Sequence, residues 1–252
     1  MKLFKKLEHY LQRDIKSLSQ NIQAAEAAYN TWAENYDNEQ NNLMLYYDKI
    51  ILSYLIYEIN LKETVILDYG CGTGRNWPDL LKYCPKKIIG CDISEKMLGI
   101  LKSKFDNAET YLINDDKLAF LKNNSADIII STLVIAHLKN LKKVFFEWDR
   151  VLKSTGRIII TDFHPELLTA GGSRTFKHKS ASVTIENYVH PIAEIESLLF
   201  PYGFRTVKLI EKKIEPDIKH FYKMNNALHI YEKFEGAPFI YGILLSRQYA
   251  DK

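Results

Sequence analysis

The sequence predicts an α/β domain: a mainly parallel sheet with crossover helices on both faces, preceded by a helical cap. Three observations carry this. Short β-branched runs alternate with helical segments five times from Thr64 onward, and strands separated by helices pair in parallel. Two runs, Ile128-Ile129-Ile130 and Ile158-Ile159-Ile160, are apolar without alternation, as strands covered on both faces require. Residues 3–58 place Leu, Ile, Ala and Tyr at three- and four-residue steps without Gly or Pro, the pattern of amphipathic helices.

Two or three such helices, broken at the polar stretch 35–42, make the cap over residues 1–60. Strands follow at 64–68, 87–92, 109–113, 127–131 and 157–162, the last after a turn at Gly156. Between them lie helices at 77–83, with Pro78 in the first turn, from the Ser94 cap to about 105, and at 140–152. After His164 the pattern loosens. Residues 165–189 contain Gly, Ser and Lys and form the longest irregular stretch, the place to expect a lid or binding loop. A helix at 190–201 and strands at 204–214 and 239–247 close the chain. The organisation is a cap (1–60), a core (61–164), a lid insertion (165–189) and a C-terminal segment (190–252).

Composition narrows the class. The 252 residues are 46% hydrophobic and 26% charged with 11 Gly and 7 Pro, which excludes a disordered or collagen-like chain. A net charge of +3 does not call for nucleic acid or another polyanion. Residues 1–20 carry five bases against two acids, read as a solvated helix face, with recruitment to a membrane surface as the alternative. The basic start lacks the apolar block of a signal peptide, and no run spans a bilayer. Cys71, Cys84 and Cys91 are odd in number and lack paired spacing, so neither zinc nor a disulfide framework is expected. A soluble cytoplasmic protein is the expectation; oligomeric state is not legible.

The informative string is Val65-Ile-Leu-Asp68-Tyr-Gly70-Cys-Gly72-Thr-Gly74. It sets a glycine turn after a strand and before a helix, where a ligand approaches backbone without a Cβ in the way. Asp92 ends the next strand, 22 residues beyond Gly70, and a carboxylate there is placed to accept both hydroxyls of a ribose. Arg75 breaks the dinucleotide fingerprint, and no Gly-Lys-Ser/Thr follows for a phosphate loop. S-adenosylmethionine, which has no phosphates to cradle, is the adenosine ligand that remains.

These motifs resemble the class I S-adenosylmethionine-dependent methyltransferases, of the type-11-like group that includes the ubiquinone and menaquinone biosynthesis enzymes. The likeness covers roughly residues 25–165. Besides the glycine string, it includes Gly90-Cys-Asp92-Ile93-Ser-Glu-Lys-Met97-Leu, Ile113-Asn-Asp115-Asp116, Ala126-Asp-Ile-Ile-Ile-Ser131 through His137, and Val151 to Ile160. The segment Tyr29-Asn-Thr-Trp32-Ala-Glu-Asn-Tyr36-Asp37 is similar to the family's leading aromatic segment, which closes over the cofactor. The resemblance implies a Rossmann-like seven-stranded sheet completed by an antiparallel C-terminal pair. It implies that Asp68, Gly70 and Gly72 belong to the cofactor site, Gly70 and Gly72 along the methionine part. It also puts Asp92 on the ribose, and Ile93 and Met97 on adenine. Asp115 or its neighbour Asp116 would take the exocyclic amine, since the family's usual Gly and Ala are replaced by Asn114 and Asp116. The Ser131 backbone would face the methionine ammonium, and Tyr29 and Tyr36 would cover the cofactor.

Methyl transfer from a sulfonium is an in-line displacement that needs alignment and exclusion of water. A hydroxyl or carbon nucleophile benefits from a general base; a neutral amine needs none. O-, N- and C-methylation therefore stay open. His164 is the preferred base, with His137 and Tyr36 as further catalytic candidates. No acid pairs with Asp162 for a metal, so none is expected. Arg174, Lys177 and Lys179 sit in the expected lid, where they would meet a carboxylate or phosphate. Tyr29, Tyr36, Tyr46, Tyr47 and Tyr188 around the cap suggest a flat or apolar small acceptor. The other class of reading is a protein that keeps the cofactor without transferring methyl. A side chain such as Trp32 or Phe163 plugging the methyl position would distinguish it.

Overall fold

The computed structural model describes residues 22–38, 42–114, 117–179 and 181–248; the basic stretch 1–20 lies outside them. A short strand β1 (Ile22–Gln23) leads into two helices, α1 (Ala25–Tyr36) and α2 (Leu43–Tyr57). Helix α1 buries Ala28, Trp32, Ala33 and Tyr36, and α2 buries Met44, Asp48, Ile51, Leu52, Leu55 and Ile56. Both sets recur at the three- and four-residue steps of one helical face. Asn42 starts α2 by accepting from Leu45 N at 3.1 Å.

The alternating units follow: β2 (Val65–Tyr69), α3 (Trp77–Leu81), β3 (Lys87–Asp92), α4 (Glu95–Lys104), β4 (Glu109–Leu112), β5 (Ala126–Thr132), α5 (Leu141–Val151) and β6 (Leu152–Phe163). Beyond them come α6 (Pro165–Thr169), β7 (Thr175–His178), β8 (Ala181–Ile185), α7 (Ile192–Leu199), β9 (Phe204–Lys213), α8 (Lys219–Met224), α9 (Leu228–Phe234) and β10 (Pro238–Arg247). Seven strands form one sheet in the order β4-β3-β2-β5-β6-β10-β9. The first five are parallel, and β10 runs antiparallel to both β6 and β9. This is the expected seven-stranded architecture with its antiparallel C-terminal pair.

The two isoleucine runs show why the sheet is buried on both sides. Ile128, Ile130 and Ile159 pack with α2 residues Ile51, Leu52 and Leu55. Ile129, Ile158 and Ile160 face the other way, onto Phe145 and Trp148 of α5 and Leu199 of α7. Strand order reverses between β2 and β5, so the carboxyl ends of those strands diverge into a crevice.

Two segments differ from expectation. Residues 165–189 are not irregular: α6 and the β7–β8 hairpin occupy them, and β1 joins the hairpin in a second sheet of order β1-β8-β7. Phe176, Val183 and Ile185 turn inward beneath α1, and Phe176 stacks on Trp32 with centroids 4.5 Å apart. Lys, His and Ser between these apolar positions hide the two-residue period. Between the last two strands stand α8 and α9, too short at six and seven residues to show a period of their own. Strand β6 also starts earlier than residue 157, straight out of α5 at Leu152.

Helix α2 crosses β10 at Gly242, where a Cβ would come within 2.2 Å of Ile51 Cγ2. Gly242→Ala is therefore expected to destabilise by about 1–3 kcal/mol through overpacking. Gly99, inside α4, meets nothing within 4 Å, and Gly99→Ala should stabilise by about 0.5–1 kcal/mol. Urea unfolding of both variants checks the pair, and equal effects would refute the packing argument.

Candidate functional site

After β2 the chain turns through Gly70 and Gly72 at φ +76° and +53°, a region costly for residues with a Cβ. Gly70 N and Cys71 N both donate to Cys91 O, at 2.8 and 3.0 Å, which binds the turn to the end of β3. Gly72 N donates to Asp92 Oδ2 at 2.8 Å, and Ser94 N donates to Asp92 Oδ1 at 2.8 Å. Each carboxylate oxygen thus holds backbone amide and keeps lone-pair capacity for a diol. Burial raises the Asp92 pKa against the lowering effect of these amides.

Over these strand ends lies a partly open cavity. Of the residues predicted from sequence, Tyr29, Tyr36, Gly70, Gly72, Asp92, Ile93, Met97 and His137 line it together. The sequence reading missed Ile113, Thr132, Leu133 and Val134, which line it too. Leu133 sits at φ +60° and donates its N–H to Thr161 O at 2.7 Å, a strained backbone held at the cavity floor.

Other predicted residues stand elsewhere. Asp68 is buried off the cavity and accepts from Trp77 Nε1 at 2.8 Å. Ser131 is buried in the sheet opposite Ile160; because β5 runs one residue further than expected, Thr132 and Leu133 take the position facing the cavity. Asp115 and Asp116 lie outside the described residues. His164, the preferred base from sequence, is corrected. Its Nε2 is 2.8 Å from Glu211 Oε1 and its Nδ1 accepts from Glu166 N at 3.3 Å, so it caps α6 and ties it to β9. Tyr47 packs on Phe239, Tyr46 is half-exposed, and Tyr188 lines a separate small cavity. Arg174 is not on an exposed loop; it is 4% exposed.

His137 is the histidine that faces the cavity. Its Nδ1 lies 3.0 Å from Glu186 O and its Nε2 3.0 Å from Tyr29 OH. A carbonyl only accepts, so Nδ1 carries the proton and Nε2 accepts from the phenol. Burial, then the charge of Arg174, lowers its pKa to about 3, and the ring is neutral at pH 7. Burial likewise pushes the Tyr29 phenol up.

Helix α1 is held over the glycine loop by polar ties. Asp37 accepts from Thr73 Oγ1 at 2.6 Å and from Lys104 Nζ at 2.8 Å, and Asn30 Oδ1 accepts from Ser94 Oγ at 2.8 Å. Below lies an ion pair that the sequence reading missed. Asp48, fully buried on α2, accepts from Arg75 Nη2 and from Thr161 Oγ1. Arg75 also reaches Thr132 Oγ1 at 3.3 Å. An acid at an apolar step of α2, four residues from Met44, was the available signal.

A glycine turn, a ribose-ready carboxylate and this strand order define a nucleoside-binding α/β protein of the class I methyltransferase fold. A methyltransferase domain family matches residues 67–160. An uncharacterised methyltransferase of Emericella nidulans is 30% identical over 220 residues, 72% of this chain and 76% of that protein. A malonyl-[acyl-carrier protein] O-methyltransferase of Hamiltonella defensa is 25% identical over 163 residues, 64% of this chain and 60% of its own length. The solved structure of an S-adenosylmethionine-dependent methyltransferase from Aquifex aeolicus matches with a TM-score of 0.59 at 18% identity, over 87% of this chain and 98% of that one. The chain spans 38% and 44% of the length of the first curated relatives it matches. It belongs to the S-adenosylmethionine-dependent methyltransferase family, whose cofactor is S-adenosylmethionine.

Burial pushes the Asp68 carboxyl from 3.8 up to about 7. The folded state therefore keeps this proton longer than the unfolded chain. The stability it contributes is full below about pH 4, falls as pH rises, and is gone above about pH 7. Asp68→Asn keeps an oxygen for the Trp77 indole and removes the titration. Urea midpoints from pH 4 to 9 are expected to fall less steeply in the variant than in the wild type, and parallel profiles would contradict the assignment.

Proposed function

We propose that the chain transfers the methyl group of S-adenosylmethionine to a small-molecule acceptor held beneath the cap. The observation that carries this reading is the Asp92 carboxylate, clamped by two amides where it lines the cavity beside Gly72. A Cβ built on Gly72 meets nothing within 4 Å, so the loop backbone is accessible from the cavity. When bound, the cofactor supplies an electrophilic methyl on a sulfonium. Asp92 would accept from its ribose hydroxyls, and Ile93, Met97 and Ile113 would give apolar surface to adenine, with Asp115 or Asp116 toward the amine. The rings of Tyr29 and Tyr36 would offer their faces to positive charge and exclude water from the reacting atoms.

His137 would hold the Tyr29 hydroxyl, whose remaining lone pair would orient the acceptor by a hydrogen bond. A ring held at about 3 is a poor base at neutral pH, which favours a nucleophile that arrives ionised or needs no deprotonation. Tyr36 would shield the reacting centre, and the segment 165–189 would close over the acceptor. The Hamiltonella relative is named for O-methylation of malonyl-[acyl-carrier protein], whose malonyl group is small, in keeping with a small reacting group beneath the cap.

The non-methylating alternative requires a plug at the methyl position. Trp32 is instead held against Phe176, and Phe163 lines a separate cavity of about 170 Å³, which favours transfer. Among the described residues no helix is long and apolar enough to cross a membrane, and Cys71, Cys84 and Cys91 are free thiols. Both facts support a cytoplasmic setting.

Calorimetric titration with S-adenosylmethionine and S-adenosylhomocysteine tests the reading. Micromolar binding is expected, and Asp92→Ala should weaken it by about a hundredfold or more, since two hydrogen bonds to a charged group are lost. A folded wild type that binds neither compound would overturn the proposal.

A further inference from the structure

Arg174 stands at the start of the β7–β8 hairpin, buried, with its guanidinium 5.5 Å from the Tyr29 ring centre and 5.6 Å from that of Trp32. Arg75, Arg150 and Arg247 each pair with a carboxylate: Asp48, Glu147 and Asp149. Arg174 has no such partner among the described residues. Its hydrogen bonds go to neutral oxygens, Leu133 O at 3.2 Å and Tyr36 OH at 3.3 Å. Both are long for a guanidinium. Asp162 acts on it by charge without forming an ion pair; its two oxygens each accept from one backbone amide, Ala136 N at 2.8 Å and Phe163 N at 2.7 Å.

An arginine cannot shed its charge by deprotonation. A buried charge without a counter-ion is destabilising, and two aromatic rings offset only part of that. Five N–H donors serve two neutral acceptors, so three remain. Of the four residues set against the group, Tyr29, Tyr36 and Leu133 line the main cavity and Trp32 does not. By strand order this is the β5 side, with β2 between it and the Asp92 end. The cation stands immediately behind the cavity wall, away from the ribose end.

We propose that Arg174 anchors a carboxylate carried by the methyl acceptor, with Tyr36 OH as the weak partner that the carboxylate displaces. This rests on the methyl-transfer reading for the identity of the ligand as an acceptor. One guanidinium matches one monoanion in charge and in its planar fork. Among the described residues no lysine or arginine is in the cavity lining itself, and Arg75 behind it is already paired with Asp48, so a dianionic phosphate would go half-neutralised.

The test is calorimetry on the full chain with four carboxylates and their uncharged amides: acetate, butyrate, benzoate and phenylacetate. Inorganic phosphate is a further arm, and each titration is run with and without saturating S-adenosylhomocysteine. At least one carboxylate should bind tenfold or more tightly than its amide, and Arg174→Gln should remove that preference. Arg174→Met serves if the Gln variant unfolds: it should lose the preference while keeping or raising the thermal midpoint, because an uncompensated charge is gone. A purely structural Arg174 gives the reverse, a lower midpoint and no carboxylate preference in the wild type. Equal binding of carboxylates and amides, no binding of either, tighter binding of phosphate, or a preference that survives in Arg174→Gln overturns the proposal. Failure of the wild type to bind S-adenosylhomocysteine defeats the methyl-transfer reading instead, and the titrations without it still decide the carboxylate site.

Discussion

The Asp92 carboxylate is the joint on which the nucleoside end of this protein depends. One oxygen holds Gly72 N from the turn after β2, and the other holds Ser94 N at the start of α4. Two loops from neighbouring parallel strands are thereby fixed at one point. The amides spend only part of the carboxylate's accepting capacity, so one side chain both ties the loops together and keeps lone pairs at the cavity it lines. Cap helix α1 leans on the same place, since Asn30 accepts from Ser94 Oγ. A change at Asp92 therefore reaches loop, helix start and cap together.

The two buried arginines show two ways to place a charge away from water. Arg75 meets Asp48 and reaches Thr132, with Thr161 on the other carboxylate oxygen. Such a knot is expensive to break from one side, because the surviving charge has no partner. It links α2, the glycine loop and the ends of β5 and β6 beneath the cavity. Arg174 lies across the cavity floor with aromatic rings and neutral oxygens instead. The first charge is satisfied within the fold. The second is left for something else to satisfy.

Much of this was legible in the sequence, for particular reasons. The sheet was readable because Ile128–Ile130 and Ile158–Ile160 are buried on both faces, and continuous apolar runs carry that meaning directly. The glycine turn and Asp92 were readable because backbone conformation and strand position restrict which residues can stand there. The hairpin within 165–189 was not, because β7 and β8 are four and five residues long and alternate too briefly among Lys, His and Ser. His164 misled for a different reason. Its place at the end of β6 suits a catalytic group, but only the fold shows Glu211 arriving on β9, distant in sequence, to take its ring nitrogen. At the end of β5 it is Thr132 and Leu133, not Ser131, that line the cavity, because the strand runs one residue further than its apolar run suggests.

The energetic layout also says where a ligand enters. The core beneath the cavity is fixed by the packed isoleucines and by a buried ion pair. The cap rests on less. Its strand β1 contributes two residues to the small sheet, and helix α1 meets α4 through Met97, the Asn30–Ser94 bond and the partly exposed pair Lys104–Asp37, a kind worth at most about 1 kcal/mol. Segments with few buried contacts and solvated polar ties open at a fraction of the global free energy. The cap and hairpin are therefore the elements that part, while the strand ends and Asp92 stay in place. Opening on that side would also wet the region around Arg174, whose charge is best tolerated when the cap is open or an anion is bound. Entry of the acceptor and compensation of that charge would then be one event.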